Sequence, residues 1–221
     1  MLQLVKETLA EQAYKELRNR IILGELPVGK RLLPEALSQM LAISQTPVKE
    51  ALVILEHDGL VEVAARRGAL VRRFAPREIE DLYGARLMVE SHAIAHGFRA
   101  GSVTPAFVAR LAECATRYTA RSQRRSRTDM VEALRLDMQL HARLASLADN
   151  DLVTDWHEKL LRQTQLLRAY SLKSYDAGNV ARAQREHDAI VAGFVAGSSA
   201  AVIDALTAHF KQSRENVVSR Y

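Results

Sequence analysis

Residues 37–52 read LSQMLAISQTPVKEAL, and their reading decides the fold of the first third of the chain. Pro34 suits the opening position of a helix, where its missing N–H would have no partner anyway. Leu37 and Leu41, four apart, give that helix one apolar stripe. Ala42 and Ile43 form a turn, and Ser44 stands where a hydroxyl can cap a second helix. In that second helix Pro47 still lies in the first turn, while Val48, Ala51, Leu52 and Leu55 recur at helical spacing and face inward. The opposite face carries Gln45, Thr46, Lys49 and Glu50. Polar residues gathered at the N-terminal end of the second of two short helices suit a helix whose end enters a major groove and reaches base edges.

The flanks extend the pattern. Leu9, Ala13, Leu17 and Ile21 repeat every four residues, and Gly24 is placed to end that helix. After Gly59, the run LVEVAARRGALVRRF alternates as two short strands around a tip of Arg66, Arg67 and Gly68. This predicts a winged helix-turn-helix. The paired arginines suit phosphate neutralisation, and a glycine at the tip permits close approach of the backbone to a duplex.

Residues 10–73 resemble the GntR family of bacterial transcription regulators, on IILGELPVGKRL, LPEALSQMLAISQTPVKEALVILEHDGLVEV and RRGALV in the family's order and spacing. The resemblance implies a DNA-binding surface of Ser44, Gln45, Thr46, Lys49, Arg66, Arg67 and Gly68. Gln45 and Lys49 stand where related recognition helices commonly have arginine.

Composition agrees with this without implying it. Hydrophobic residues make up 48% of the 221 and aromatics only 5%, which favours Ala- and Leu-rich helices. Residues 1–75 hold eleven basic and nine acidic groups, a net of +2, so the net charge of +5 is not concentrated in the expected DNA-binding part. Local clusters count for more: Arg66, Arg67, Arg72 and Arg73, and farther on Arg121, Arg124, Arg125 and Arg127, the latter read as a solvated helix end. Cys114 is the single cysteine, which leaves no intrachain disulfide and fits a reducing compartment. No stretch approaches the roughly 20 apolar residues that span a bilayer, and the amino terminus lacks a signal pattern, so a cytoplasmic location with no membrane partner is expected.

Strand periodicity stops near Phe74, Ala75 and Pro76, which divides the chain into residues 1–75 and 76–221. Six helices are predicted in the second part, over 76–99, 105–122, 127–148, 151–170, 178–196 and 199–219. Gly101 with Pro105, Asp149 with Asn150, Gly178 with Asn179 and Gly197 with Ser198 punctuate them. The expected fold class is mostly α: an N-terminal winged helix-turn-helix followed by an all-α six-helix antiparallel bundle.

Asp137 and His141 are four apart and project from one helical face, a spacing that serves either a metal pair or a hydrogen-bonded pair. His187 and His209 lie on two later helices, and convergence of all four would give one carboxylate and three imidazoles. His92 and His96 form a rival pair at the same spacing. His57 sits at the end of the recognition helix, and His157 lies beside Trp156.

Residues 76–217 resemble the FCD ligand-binding domain found in the FadR subfamily of GntR regulators, on DLYGARLMVE, DMQLHARL, EHDAI and LTAHF. Six rather than seven helices is similar to the VanR branch. The resemblance implies a divalent metal held by Asp137, His141, His187 and His209. Zinc is the first expectation, with nickel, iron and manganese also compatible with this donor set. Leu140 departs from the phenylalanine common in the motif. Arg86 matches an arginine that can clamp a carboxylate effector, the alternative being an Arg86–Glu90 helix pair on a rim. The expected protein is a homodimer that binds an inverted-repeat operator in double-stranded DNA. It acts as a repressor released by a small organic acid. The function class set against it is a metal-dependent hydrolase built on the one aspartate and three histidines, but no helical His-Glu-x-x-His signature accompanies them.

Overall fold

The computed structural model describes residues 7–64, 68–124, 126–171 and 177–219. The chain divides into two compact units, Met1–Arg73 and Phe74–Tyr221. Arg66, Arg67 and Arg125 lie outside the described residues.

In the first unit, helix α1 (Leu9–Ile22) opens on a reciprocal capping box between Thr8 and Glu11. A short strand β1 (Arg31–Leu32) leads into α2 (Pro34–Leu41) and α3 (Gln45–His57), with strands β2 (Val61–Ala64) and β3 (Gly68–Val71) behind them. The α2–α3 turn is made by Ala42 in the left-handed conformation, φ 54°. Ala13, Leu17, Ile21, Leu37, Val48, Ala51, Leu52 and Leu55, all selected by the helical periodicity, are buried, whereas Leu9 at the start of α1 is exposed and Leu41 at the end of α2 is only partly buried. Ser44 occupies the N-cap position of α3, but its hydroxyl does not cap the helix.

The wing differs from a two-stranded hairpin. Its sheet has the order β1-β3-β2, antiparallel throughout, with Leu32 opposite Ala69. Gly68 has φ +78°, and a Cβ there would meet the carbonyl oxygen of Leu32 at 2.3 Å. The glycine is thus required by packing against β1 within the unit, a reason independent of any approach to DNA.

The second unit contains six helices among its described residues: α4 (Pro76–Arg99), α5 (Pro105–Ser122), α6 (Arg127–Ser146), α7 (Asp151–Ser171), α8 (Ala177–Val195) and α9 (Ser199–Val218). Most bounds agree with the sequence pattern to within a residue or two, because proline, glycine and serine sit at the breaks. Thr104, Ser126 and Ser198 cap α5, α6 and α9 with their hydroxyls. Gly193 on α8 faces α9 so closely that a Cβ would stand 2.8 Å from the Val202 backbone nitrogen. That approach draws together the two helices that carry His187 and His209. Leu140 is fully buried, as a packing position requires. Among the described residues no helix is long and apolar enough to cross a membrane.

Candidate metal centre

Asp137 and His141 leave α6 one turn apart and reach the middle of the bundle, where His187 from α8 and His209 from α9 meet them. One ligand atom from each of the four lies within 4.8 Å of every other, and all four side chains are buried. His187 Nε2 stands 3.2 Å from Asp137 Oδ1. The rings of His141 and His209 stack at 5.2 Å, and those of His187 and His209 are 5.0 Å apart. Burial of this kind is costly for polar atoms unless something satisfies them.

Two carboxylates stand behind the imidazoles. Glu90 Oε2 lies 2.7 Å from His141 Nδ1, and Glu186 Oε2 lies 2.9 Å from His209 Nδ1. A carboxylate on Nδ1 orients a ring and leaves Nε2 as the ligand atom. His141 Nε2 and both ring nitrogens of His187 are buried without a hydrogen-bond partner among the described residues. Orphaned imidazole nitrogens beside a carboxylate oxygen are what a bound cation satisfies, and one carboxylate with three imidazoles suits zinc, nickel, iron or manganese. Burial holds the His141 imidazole down at about 3, from 6.5, outweighing the upward pull of Glu90. Burial likewise lowers His209, against its bond to Glu186. Both rings are therefore neutral near pH 7, the form that ligates.

Glu90 is the hub behind this cluster. Its side chain is fully buried, and its Oε1 accepts from Arg86 Nε at 3.2 Å and from the terminal Nη2 at 3.0 Å, and meets His157 Nε2 at 2.8 Å. Burial alone would raise the Glu90 carboxyl, but the fields of His141 and Arg86 and the bonds from His141 and His157 hold it well below the usual carboxylate range. Arg86 is held on three sides: by Glu90, by Thr164 Oγ1 at 3.1 Å, and by the Phe210 ring, whose centroid is 4.5 Å from its Cζ.

The Arg86–Glu90 pair thus exists, but it is buried rather than on a rim. The sequence carried a signal for this. Ile79, Leu82, Tyr83, Arg86, Glu90, Ala93, Ile94 and Gly97 fall on one stripe of α4 at spacings of three and four, and all are buried. His157, undecided from sequence, belongs to the same network. His96 bonds the Leu147 carbonyl through Nδ1 at 2.9 Å, and His92 is exposed, so the rival pair does not form a site. A cavity of about 10 Å³ adjoins the cluster, lined by Arg86, Asp137, Met138, Leu161, Thr164 and Gln165 among others. It has room for about one water.

In the first unit, Ser44, Gln45, Thr46, Lys49 and Glu50 are all exposed and follow one another along the opening turns of α3.

The family model for the bacterial regulatory proteins of the gntR family matches residues 9–71, and the model for the FCD domain matches residues 81–212. The chain belongs to the gntR family of bacterial regulatory proteins and carries an FCD domain. An HTH-type transcriptional regulator of Streptomyces ambofaciens is 30% identical over 148 residues, which are 67% of this chain and 60% of that protein. Another HTH-type regulator, from Agrobacterium vitis, is 32% identical over 81 residues, 37% of this chain and 47% of the other. The aligned stretches thus span about half the length of these curated relatives, and both are regulators by name rather than enzymes. The fold is similar to that of Escherichia coli McbR, with a TM-score of 0.81 at 18% identity, covering 98% of this chain and 100% of McbR.

Proposed function

We propose that this chain is a metabolite-responsive transcriptional regulator, with its first unit reading operator DNA and its FCD domain binding a metal ion and a small carboxylate effector. The observation that carries the reading is the buried meeting of Asp137, His141, His187 and His209 in a chain whose other unit exposes Ser44, Gln45, Thr46 and Lys49 at the start of α3. Ser44, Gln45, Thr46 and Lys49 are the residues offered to base edges and phosphates. Arg66 and Arg67 add phosphate charge from the wing by family resemblance. Repression of an inverted-repeat operator by a homodimer is the mode the family resemblance favours. Met88 on α4 and Leu152 and Trp156 on α7 leave large apolar surfaces exposed at 60–69%, which supports self-association through the second unit.

A bound divalent ion would supply positive charge and coordination positions for an anion. Arg86 contributes differently from a free clamp. Glu90 already neutralises it, so its role toward an acid is to offer its remaining N–H donors from a fixed orientation. The adjoining cavity takes about one water, not an acid of several carbons. Admission of such an acid therefore displaces lining groups such as Met138 and Leu161. A ligand that fits only a rearranged bundle has unequal affinity for two arrangements, which is the requirement for a switch.

A hydrolase reading gains no support from the carboxylates around the cluster. Glu90 and Glu186 bond the Nδ1 atoms from behind, where they orient ligands, not in front, where a general base would meet an attacking water.

Selection of duplexes from a random library by the purified chain tests the DNA reading, and enrichment of an inverted repeat is expected. A panel of organic acids is then titrated into the metal-loaded complex with the enriched duplex, and release by at least one acid is expected. Absence of any enriched sequence would remove the regulator reading.

A further inference from the structure

We propose that Glu90 is a positioning residue for the metal centre, one that fixes the tautomer of His141 so that Nε2 is the ligand atom. The inference rests on the metal reading above.

A carboxylate offers only acceptors toward a ring nitrogen, so the 2.7 Å contact between Glu90 Oε2 and His141 Nδ1 requires Nδ1 to carry the proton. The Nε2 lone pair is then left for the cluster, and Nε2 is indeed buried with no hydrogen-bond partner among the described residues. Glu90 has no freedom to turn away. Its other oxygen, Oε1, is fixed by Arg86 from the same helix and by His157 from α7. Arg86 in turn is fixed by Thr164 and by the face of Phe210. The proton position on a metal-binding ring is thereby set by a network that bonds the cluster through one carboxylate oxygen, while Phe210, which holds Arg86, also stacks on the His141 ring at 5.2 Å. Glu186 repeats the arrangement at His209 Nδ1, with Arg182 3.4 Å from its other oxygen.

The substitution Glu90→Gln is nearly isosteric and gives the test its edge. Glutamine presents one acceptor and one amide donor. Arg86 and the N–H of His157 both require an acceptor where Oε1 stands, so the amide NH2 falls on the His141 side. An amide donor there calls for a bare Nδ1, which moves the ring proton to Nε2 and blocks ligation. Oriented outer-shell partners typically contribute about 10- to 100-fold to metal affinity.

Zinc affinity is measured by competition with a chromophoric chelator on the full-length chain. In the wild type and in Glu90→Gln, histidine tautomers are read from ¹⁵N chemical shifts of the metal-free protein. The expected results are the Nδ1–H tautomer of His141 in wild type, its loss in Glu90→Gln, and zinc binding about 10- to 100-fold weaker. His96→Gln alters a histidine of the same helix that bonds the Leu147 carbonyl outside this network, and should leave zinc affinity essentially unchanged. If Glu90→Gln does not fold, Glu186→Gln and the wild-type tautomers carry the test, since Glu186 is less deeply buried and serves His209 in the same way. Wild-type affinity in Glu90→Gln, equal losses in Glu90→Gln and His96→Gln, or an Nε2–H tautomer of His141 in the wild type would each overturn the positioning role alone. A wild-type chain that binds no zinc would instead overturn the metal reading, and this inference with it.

Discussion

Gly68 and Leu32 approach so closely that no side chain fits between them: a Cβ on Gly68 would stand 2.3 Å from the Leu32 carbonyl oxygen, and the residue holds φ +78°. Both constraints come from β1 lying against β3 in the register Leu32 to Ala69. Gly68→Ala therefore meets backbone rather than a movable side-chain end. Left-handed strain and overpacking together predict a loss of about 2 to 4 kcal/mol. Chemical denaturation should place the transition of the first unit earlier in the variant while zinc binding by the second unit is retained. A first-unit transition at the wild-type position would contradict the close approach.

Gln45 and Lys49 are exposed in the opening turns of α3, and their chemistry separates base reading from phosphate binding. Glutamine pairs bidentately with adenine, whereas arginine favours guanine. Gln45→Arg should shift preference toward guanine at one symmetric operator position by about 1 to 3 kcal/mol. Lys49→Ala should weaken all sequences alike and flatten the salt dependence. Sequencing of selected duplexes and affinity measured against salt read the two outcomes, and an unchanged base profile in Gln45→Arg would remove Gln45 from the reading surface.

Arg86 and Glu90 form a buried ion pair, so removal of one partner leaves an uncompensated charge in the bundle. Arg86→Met should cost about 3 to 5 kcal/mol of stability. The double variant Arg86→Met with Glu90→Gln should cost less than the sum of the two single changes. A double-mutant cycle from denaturant unfolding of the metal-free protein measures this, and strict additivity would show that the pair is not coupled.

Acid stability follows from the neutral, buried His141. Its folded value of about 3 lies below the ordinary 6.5, so the unfolded chain binds more protons between these two values. The stability that the neutral ring contributes is complete above about 6.5 and is lost as pH falls from there toward 3. His209, lowered by burial, acts in the same direction. The metal-free protein should therefore unfold at progressively lower denaturant concentration as pH is reduced across that window, and His141→Phe should flatten the dependence.

The helices were legible because their ends are punctuated: Pro34, Pro76 and Pro105 open helices, and Gly101 and Gly197 close them. The site was legible only in its ligands. Asp137 and His141 share a face by their spacing, but their meeting with His187 and His209 depends on how three helices pack, and the family resemblance supplied it. Glu90 and Glu186 were missed because acidic residues on helices are ordinary and only the packing turns them toward Nδ1 atoms. The burial of Glu90 was nevertheless written in the apolar stripe of α4. The two-residue β1 has no periodicity to read, so the third strand and the reason for Gly68 emerged only from the fold.

The central claim is that Asp137, His141, His187 and His209 hold one ion, and the metal content of the dialysed full-length protein tests it most directly. After zinc loading and exhaustive dialysis, elemental analysis should find one ion per wild-type chain. His187→Ala and His209→Ala should each lose most of it, with at least part of the duplex binding retained, because the first unit has its own core. Full metal content in both variants would contradict the account and leave the buried polar cluster with a structural role.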